Sequence, residues 1–148
     1  YRSLGLQTYL FQSFQAKVKQ KYPHLNQAEL FKKTAQLISP IQNFDKTPNT
    51  PPHSTGAAID VYLINDEGKA LDMGIHPKDW QQDTDGTISM TVSTKISAVA
   101  KKNRQIMSAA LEKAGFVNYP YEYWHWSYGD KYWAYTNKRP HAIYNTIK

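Results

Sequence analysis

The sequence predicts an α+β fold: one domain in which a mainly antiparallel β-sheet is packed with helices. Three observations carry this expectation. Apolar residues recur at helical spacing near the start and again after residue 95, short β-branched and aromatic runs lie between and after them, and the order helices, strands, helix, strands does not alternate as a doubly wound parallel sheet would. A length of 148 residues suits one domain with a real core.

The elements follow in order. Leu4, Gln7, Phe11, Phe14 and Val18 mark a first helix over about 3–20, closed by Tyr22-Pro23. Asn26 followed by Glu29 has the form of a capping box, opening a second helix that runs towards Pro40 through Leu30, Phe31, Leu37 and Ile38. Residues 39–55 form a long proline-rich loop, of a length that is usually either functional or mobile. Ala57 to Ile64 reads as a strand, Asn65-Asp66-Glu67-Gly68 as a turn, and Lys69 to Met73 as a short returning strand. Gly74 to Thr94 reads as a second long loop. A helix follows over about 95–114 with Gly115 as its C-terminal cap. Phe116–Tyr119, Glu122–Tyr128 and Lys131–Thr136 read as three strands, the last two joined at Gly129-Asp130.

Composition narrows the function classes. With 41% hydrophobic and 20% charged residues the chain is neither disordered nor membrane-inserted, and no apolar run approaches the roughly 18 residues of a transmembrane helix. The net charge of +6 comes from scattered lysines and arginines, and the 14% aromatic content is concentrated between Tyr119 and Tyr135, where strand packing explains it better than base stacking. No nucleic-acid partner is expected. Cysteine is absent, so thiolate ligands and cysteine nucleophiles are excluded, and a metal site must draw on His, Asp and Glu.

Of the five histidines, His24, His76 and His141 have no chemical partner nearby in sequence and read as structural or solvated. His53 and His125 each have a carboxylate close by: His53 and Asp60 bracket HSTGAAID, and Glu122 precedes His125 by three in EYWH. Both offsets are odd, so in regular strands these pairs would face opposite sides. They reach one site only if His53 comes from the loop, with Gly56 turning the chain, and if Glu122 lies in an irregular entry at Tyr119-Pro120. Two imidazoles and one carboxylate would suit catalytic zinc, and a further carboxylate could serve as general base. Spacing alone leaves this open against a turn followed by an ordinary strand.

The pair H-x-x-G-x-A-x-D and EYWHW resembles the signature of the D-alanyl-D-alanine dipeptidases, the VanX-type zinc peptidases related in fold to D-Ala-D-Ala carboxypeptidases and the hedgehog signalling domain. The resemblance extends along most of the chain. Tyr1-Arg2 resembles the family's YRP, Leu71-Asp72-Met73-Gly74 its LDMG, and Asn103-Arg104 through Ala114-Gly115-Phe116 its last helix. Asn118-Tyr119-Pro120 leading into EYWHWSYGDKYWA, and later Ala142-Ile143-Tyr144, continue the pattern. The resemblance implies that His53, Asp60 and His125 bind one Zn²⁺, that Glu122 is the general acid/base, and that Arg2 steadies the scissile carbonyl as it becomes an oxyanion. It further implies hydrolysis of D-alanyl-D-alanine in a bacterial cytoplasm or cell envelope, by a chain lacking the N-terminal portion of its family. Two alternatives share the scaffold: a peptidoglycan D,D- or L,D-carboxypeptidase, and a non-catalytic, zinc-containing hedgehog-like module. Three departures bear on substrate grip. Pro51 stands where the family often has a substrate-holding serine, Ser3 stands in place of the YRP proline, and Ile75-His76-Pro77-Lys78-Asp79-Trp80 replaces the more usual Thr-x-Phe-Asp.

Overall fold

Four helices pack around a three-stranded antiparallel sheet in the computed structural model, which describes residues 1–83 and 86–147. The helices are α1 (Leu4–Lys21), α2 (Gln27–Ala35), α3 (Ala98–Lys113) and α4 (Lys131–Thr136). The strands are β1 (Ala58–Asp60), β2 (Val117–Asn118) and β3 (His125–Ser127), in the order β1-β3-β2. The architecture is the α+β arrangement expected, with shorter strands.

Local chemistry explains the helix ends. Ser3 caps α1, its hydroxyl accepting the Leu6 N–H at 3.2 Å, so the serine in the YRP proline position gives the helix a start signal of its own. Asn26 and Glu29 form a reciprocal capping box at α2. That helix stops at Ala35, and Leu37 and Ile38 lie in the turn beyond it, earlier than the periodicity predicts. Beyond α3, Gly115 takes a left-handed backbone (φ 86°), and the Phe116 N–H returns to the Leu111 carbonyl at 3.0 Å.

The strand expectations need correction at three places. The segment 57–64 is a strand only over Ala58–Asp60, although Val61 N–H still reaches the Trp124 carbonyl at 2.9 Å. The return over 69–73 amounts to one bridge, Ile64 with Ala70, because the turn ending at Gly68 sends the chain away after a single rung. Residues 131–136 are helical, not extended. Asp130 accepts the Trp133 N–H at 2.8 Å and is itself fixed by the Ser127 hydroxyl at 2.7 Å, and this buried cap outweighs the strand preference of Tyr-Trp-Ala-Tyr-Thr. The loop 74–94 holds a 3₁₀ segment, Pro77–Gln82, capped by His76, whose Nδ1 accepts the Lys78 N–H at 3.1 Å. Thr84 and Asp85 of that loop lie outside the described residues.

The core lies where α3 meets the sheet. Met73, Met107, Tyr123, Trp124 and Trp126 form its buried centre, with Val61, Leu63, Ile75, Leu111 and Phe116 packed around them. Trp126 is fully buried, and its indole N–H donates to the Tyr123 carbonyl at 3.0 Å. Strand β3 is thus anchored through Trp126, next to His125 at the strand's start. On the far side, α1 and α2 pack through Phe11 and Phe31, whose ring centres are 5.3 Å apart.

Candidate metal centre

The proline-rich loop delivers the first histidine. Pro51 is buried and leads into a 3₁₀ turn, Pro52–Ser54, where its carbonyl accepts the Ser54 N–H at 3.0 Å. His53 lies within that turn, and Gly56 (φ 76°) then swings the chain into β1. Asp60 ends β1 directly opposite His125, the first residue of β3, so the pair shares one face of the sheet. Glu122 precedes β3 in a turn closed by Glu122 N–H to the Tyr119 carbonyl and His125 N–H to the Glu122 carbonyl, both 3.0 Å. The irregular entry at Tyr119-Pro120 thus removes the parity conflict between Glu122 and His125.

Three donor atoms converge. His53 Nε2 is 3.1 Å from His125 Nδ1, and each is 3.3 Å from Asp60 Oδ1. The two imidazole planes stand at 87°. A tetrahedral zinc ion with bonds of about 2.0–2.1 Å would hold its ligand atoms roughly 3.3 Å apart, so the donor set and its spacing fit such an ion. Glu122 stands just outside the triangle, with Oε2 3.9 Å from His125 Nδ1. Arg2 closes the other side. Its Nη2 donates to Asp60 Oδ2 at 3.0 Å and its backbone N–H to the His53 carbonyl at 2.9 Å, so the residue just before the α1 cap is tied to two members of the cluster.

The electrostatics suit these positions. Burial lowers the His53 pKa, outweighing the hydrogen bond and charge of Asp60, which favours the neutral imidazole that a metal needs. Burial would raise the Asp60 carboxyl, but hydrogen bonds from His125 and His53 outweigh it and hold the group far below the usual carboxylate range. Glu122 moves the other way: burial, aided by the charge of Asp60, raises its pKa against the pull of His125 and Arg2. The environments of Asp60 and Glu122 thus push the two carboxyl groups in opposite directions.

Sequence reasoning missed the supports behind the site. Arg104 of α3 is 2% exposed; its guanidinium donates to the carbonyls of Met73, Met90 and Ile88 and stacks 3.9 Å from the centre of the Tyr123 ring. The segment held in this way flanks the Glu122 turn, through Tyr123 N–H to the Ser89 carbonyl (2.9 Å) and Thr91 N–H to the Pro120 carbonyl (3.0 Å). Asn118 adds a bond from Nδ2 to the His125 carbonyl at 3.0 Å, while Thr91 Oγ1 donates to Asn118 Oδ1. The Asn-Arg pair in α3 was the one available signal, and nothing local announces that its arginine is buried.

Two imidazoles and a carboxylate meeting on a small antiparallel sheet, with a second carboxylate beside them, form a group of the kind that can hold a metal ion. The chain belongs to the D-ala-D-ala dipeptidase family, whose model matches residues 4–145. It is 31% identical over 124 residues to a D-alanyl-D-alanine dipeptidase of Synechocystis sp., an alignment covering 80% of this chain and 49% of that relative. The chain therefore spans about half the length of the curated relative it matches. No helix among the described residues is long and apolar enough to cross a membrane.

Proposed function

We propose that the protein is a zinc-dependent peptidase that hydrolyses D-alanyl-D-alanine, or a close D-configured dipeptide, with one metal ion per chain. His53, Asp60 and His125 would hold the ion through Nε2, Oδ1 and Nδ1. Zinc in such a site supplies Lewis acidity, polarising the substrate carbonyl and acidifying water. Glu122 takes the proton from the attacking water and delivers it to the leaving amine, and burial tunes it for both transfers by raising its pKa. Arg2 donates to the carbonyl oxygen as negative charge develops there. Its Nη2 is engaged with Asp60, while its remaining side-chain N–H groups have no protein partner among the described residues.

One observation carries the reading: a partly buried carboxylate, Glu122, stands beside the donor triangle without joining it. A site built only to hold metal needs no such group, so this favours a peptidase over a non-catalytic module. Family membership and the dipeptidase relative support the choice of substrate. The test is metal analysis combined with D-Ala-D-Ala hydrolysis before and after chelation. The expected result is near-stoichiometric zinc, loss of turnover with chelator and recovery on adding zinc back. Folded protein that retains no metal and no activity would overturn it.

A further inference from the structure

The proline-rich loop over 39–55 serves the metal centre only at its end, through His53. Its first half is built into a small hairpin. Gln42 bridges to Pro48, the Asn43 N–H reaches the Thr47 carbonyl at 2.9 Å, and the Asn49 N–H returns to the Ile41 carbonyl at 2.9 Å. Asn49 Nδ2 donates to the Pro40 carbonyl at 2.7 Å and fixes the base. Near the tip stands Phe44, 53% exposed yet packed on Phe31 of α2, with ring centres 5.5 Å apart.

The hairpin walls a groove of about 330 Å³ against α1 and α2. Phe31 and Phe44 give the groove aromatic surface. Gln12 and Gln15 of α1, Gln27 at the start of α2 and Gln42 of the hairpin line it with carboxamides. Among the described residues none of these four side chains has a hydrogen-bond partner in the protein, and Lys46 is the one charged lining residue. The cleft beside Glu122 uses Phe14 and Lys17 of the same helix, and the two have no lining residue in common.

Glutamines on a helix face ordinarily meet water, which accounts for any one of them. It does not account for an exposed phenylalanine on a fixed hairpin with four free carboxamides, from three chain segments, around the same groove. An apolar ligand would leave those amides unpaired as it displaced their water. An anion would meet a single lysine. A neutral ligand with hydroxyl groups at its rim and C–H groups on its faces suits both features, because each carboxamide donates and accepts while the rings offer flat apolar surface. The volume lies at the lower end of the range for small-molecule sites, room for roughly one or two pyranose rings.

We infer that this groove is a binding site for a neutral mono- or disaccharide, seated on Phe31 and Phe44 and hydrogen-bonded by Gln12, Gln15, Gln27 and Gln42. It is separate from the metal centre and takes no part in bond cleavage.

Amide NMR of the protein titrated with maltose, cellobiose and N,N′-diacetylchitobiose tests this. At least one of the three should move the signals of Phe31 and residues 42–46 saturably, with a Kd of about 1 mM or below. Phe44→Ala should weaken that binding about tenfold through the lost ring face. The double variant Gln12→Leu, Gln15→Leu should weaken it by about the same factor through two lost hydrogen bonds. Both variants should keep the parent's thermal unfolding, zinc content and D-Ala-D-Ala turnover. Absence of a saturable shift with all three sugars up to about 20 mM would overturn the site. Parental affinity in both variants would do the same, by placing the sugar elsewhere. So would an apolar dye that displaces no sugar, shifts these same signals and binds the leucine variant more tightly than the parent, which would assign the groove to an apolar partner.

Discussion

Asp60 and His125 face each other across the β1–β3 ladder, with Oδ1 and Nδ1 3.3 Å apart. Their approach is set by sheet register, whereas His53 is brought in by a loop turn and Arg2 by a helix start. Two of the three donors therefore sit on paired strands, and zinc should find a largely preformed site. Expected consequences are that zinc raises the unfolding temperature of the chelated protein, and that His125→Ala abolishes the increase. At a free concentration a hundredfold above Kd, binding to the native state alone adds about 2.7 kcal/mol. Scanning calorimetry with and without metal checks this, and an unchanged melting temperature would show that the triangle holds no ion.

Glu122→Gln is expected to keep metal content and fold while lowering kcat by about 10²–10⁴, the range for removing a general base. Glutamine preserves the volume in the turn before β3, and the main-chain bonds to Tyr119 and His125 remain. Zinc analysis and D-Ala-D-Ala kinetics on the same preparation separate the roles. Near-parental turnover would remove Glu122 from the mechanism.

Arg2 touches Asp60 through one N–H, so it can act on the substrate oxygen or merely orient the carboxylate. The two roles differ in what they perturb. As an oxyanion donor, Arg2→Ala should lower kcat by about 10²–10³. Loss of an orienting contact to a ligand would instead weaken zinc retention by about 10–100-fold. The expected outcome is the fall in kcat at full zinc occupancy, measured with excess metal in the assay. Activity restored by added zinc would assign Arg2 to Asp60 alone.

Much of this site was legible in sequence because its constraints are local or carried by family motifs. The capping box at Asn26 and Glu29 and the glycine after α3 are short-range signals. The odd offsets between His53 and Asp60 and between Glu122 and His125 demanded a turn in each interval, and turns stand there. The helix at 131–136 was hidden because its aromatic residues favour strands, while the deciding bond, Ser127 to Asp130, exists only once both are buried. Arg104 was hidden for a related reason. A helical arginine is ordinarily solvated, and its three carbonyl partners come from distant chain segments.

Asp72 gives a pH test away from the metal site. Hydrogen bonds from the Ser97 hydroxyl, at 2.6 Å, and the Gly74 N–H, at 2.8 Å, favour its carboxylate and hold its pKa below the ordinary value. The unfolded chain therefore binds more protons between the two pKa values, and stability rises with pH across that window. The contribution is fully present above about pH 4, the unfolded value, and is lost as pH falls through the lowered folded value. Asp72→Asn should melt earlier than the parent at pH 7, and the gap should be smaller at pH 2. A constant difference at both pH values would show that the charge of Asp72 plays no part in tying the loop to the start of α3.

Arg104 is the substitution expected to cost most. Burial pushes its pKa down to about 10, so it remains charged at neutral pH while 2% exposed, satisfied by carbonyls and the Tyr123 ring instead of an acid. Arg104→Met fills similar space but strands the carbonyls of Met73, Met90 and Ile88, each costing about 1–3 kcal/mol when buried without a donor, a loss of at least about 3 kcal/mol. Arg104→Lys keeps the charge and loses the fork that reaches three carbonyls at once. It should unfold less readily than the methionine variant and still loosen residues 88–91, which clasp the Glu122 turn through Tyr123 and Pro120. Urea unfolding gives the stability difference. Amide exchange at Thr91 and Tyr123 should quicken in the lysine variant while Phe116, bonded to the Leu111 carbonyl beyond α3, stays protected. Parental exchange at Thr91 and Tyr123 would confine Arg104 to packing and remove it from the support of Glu122.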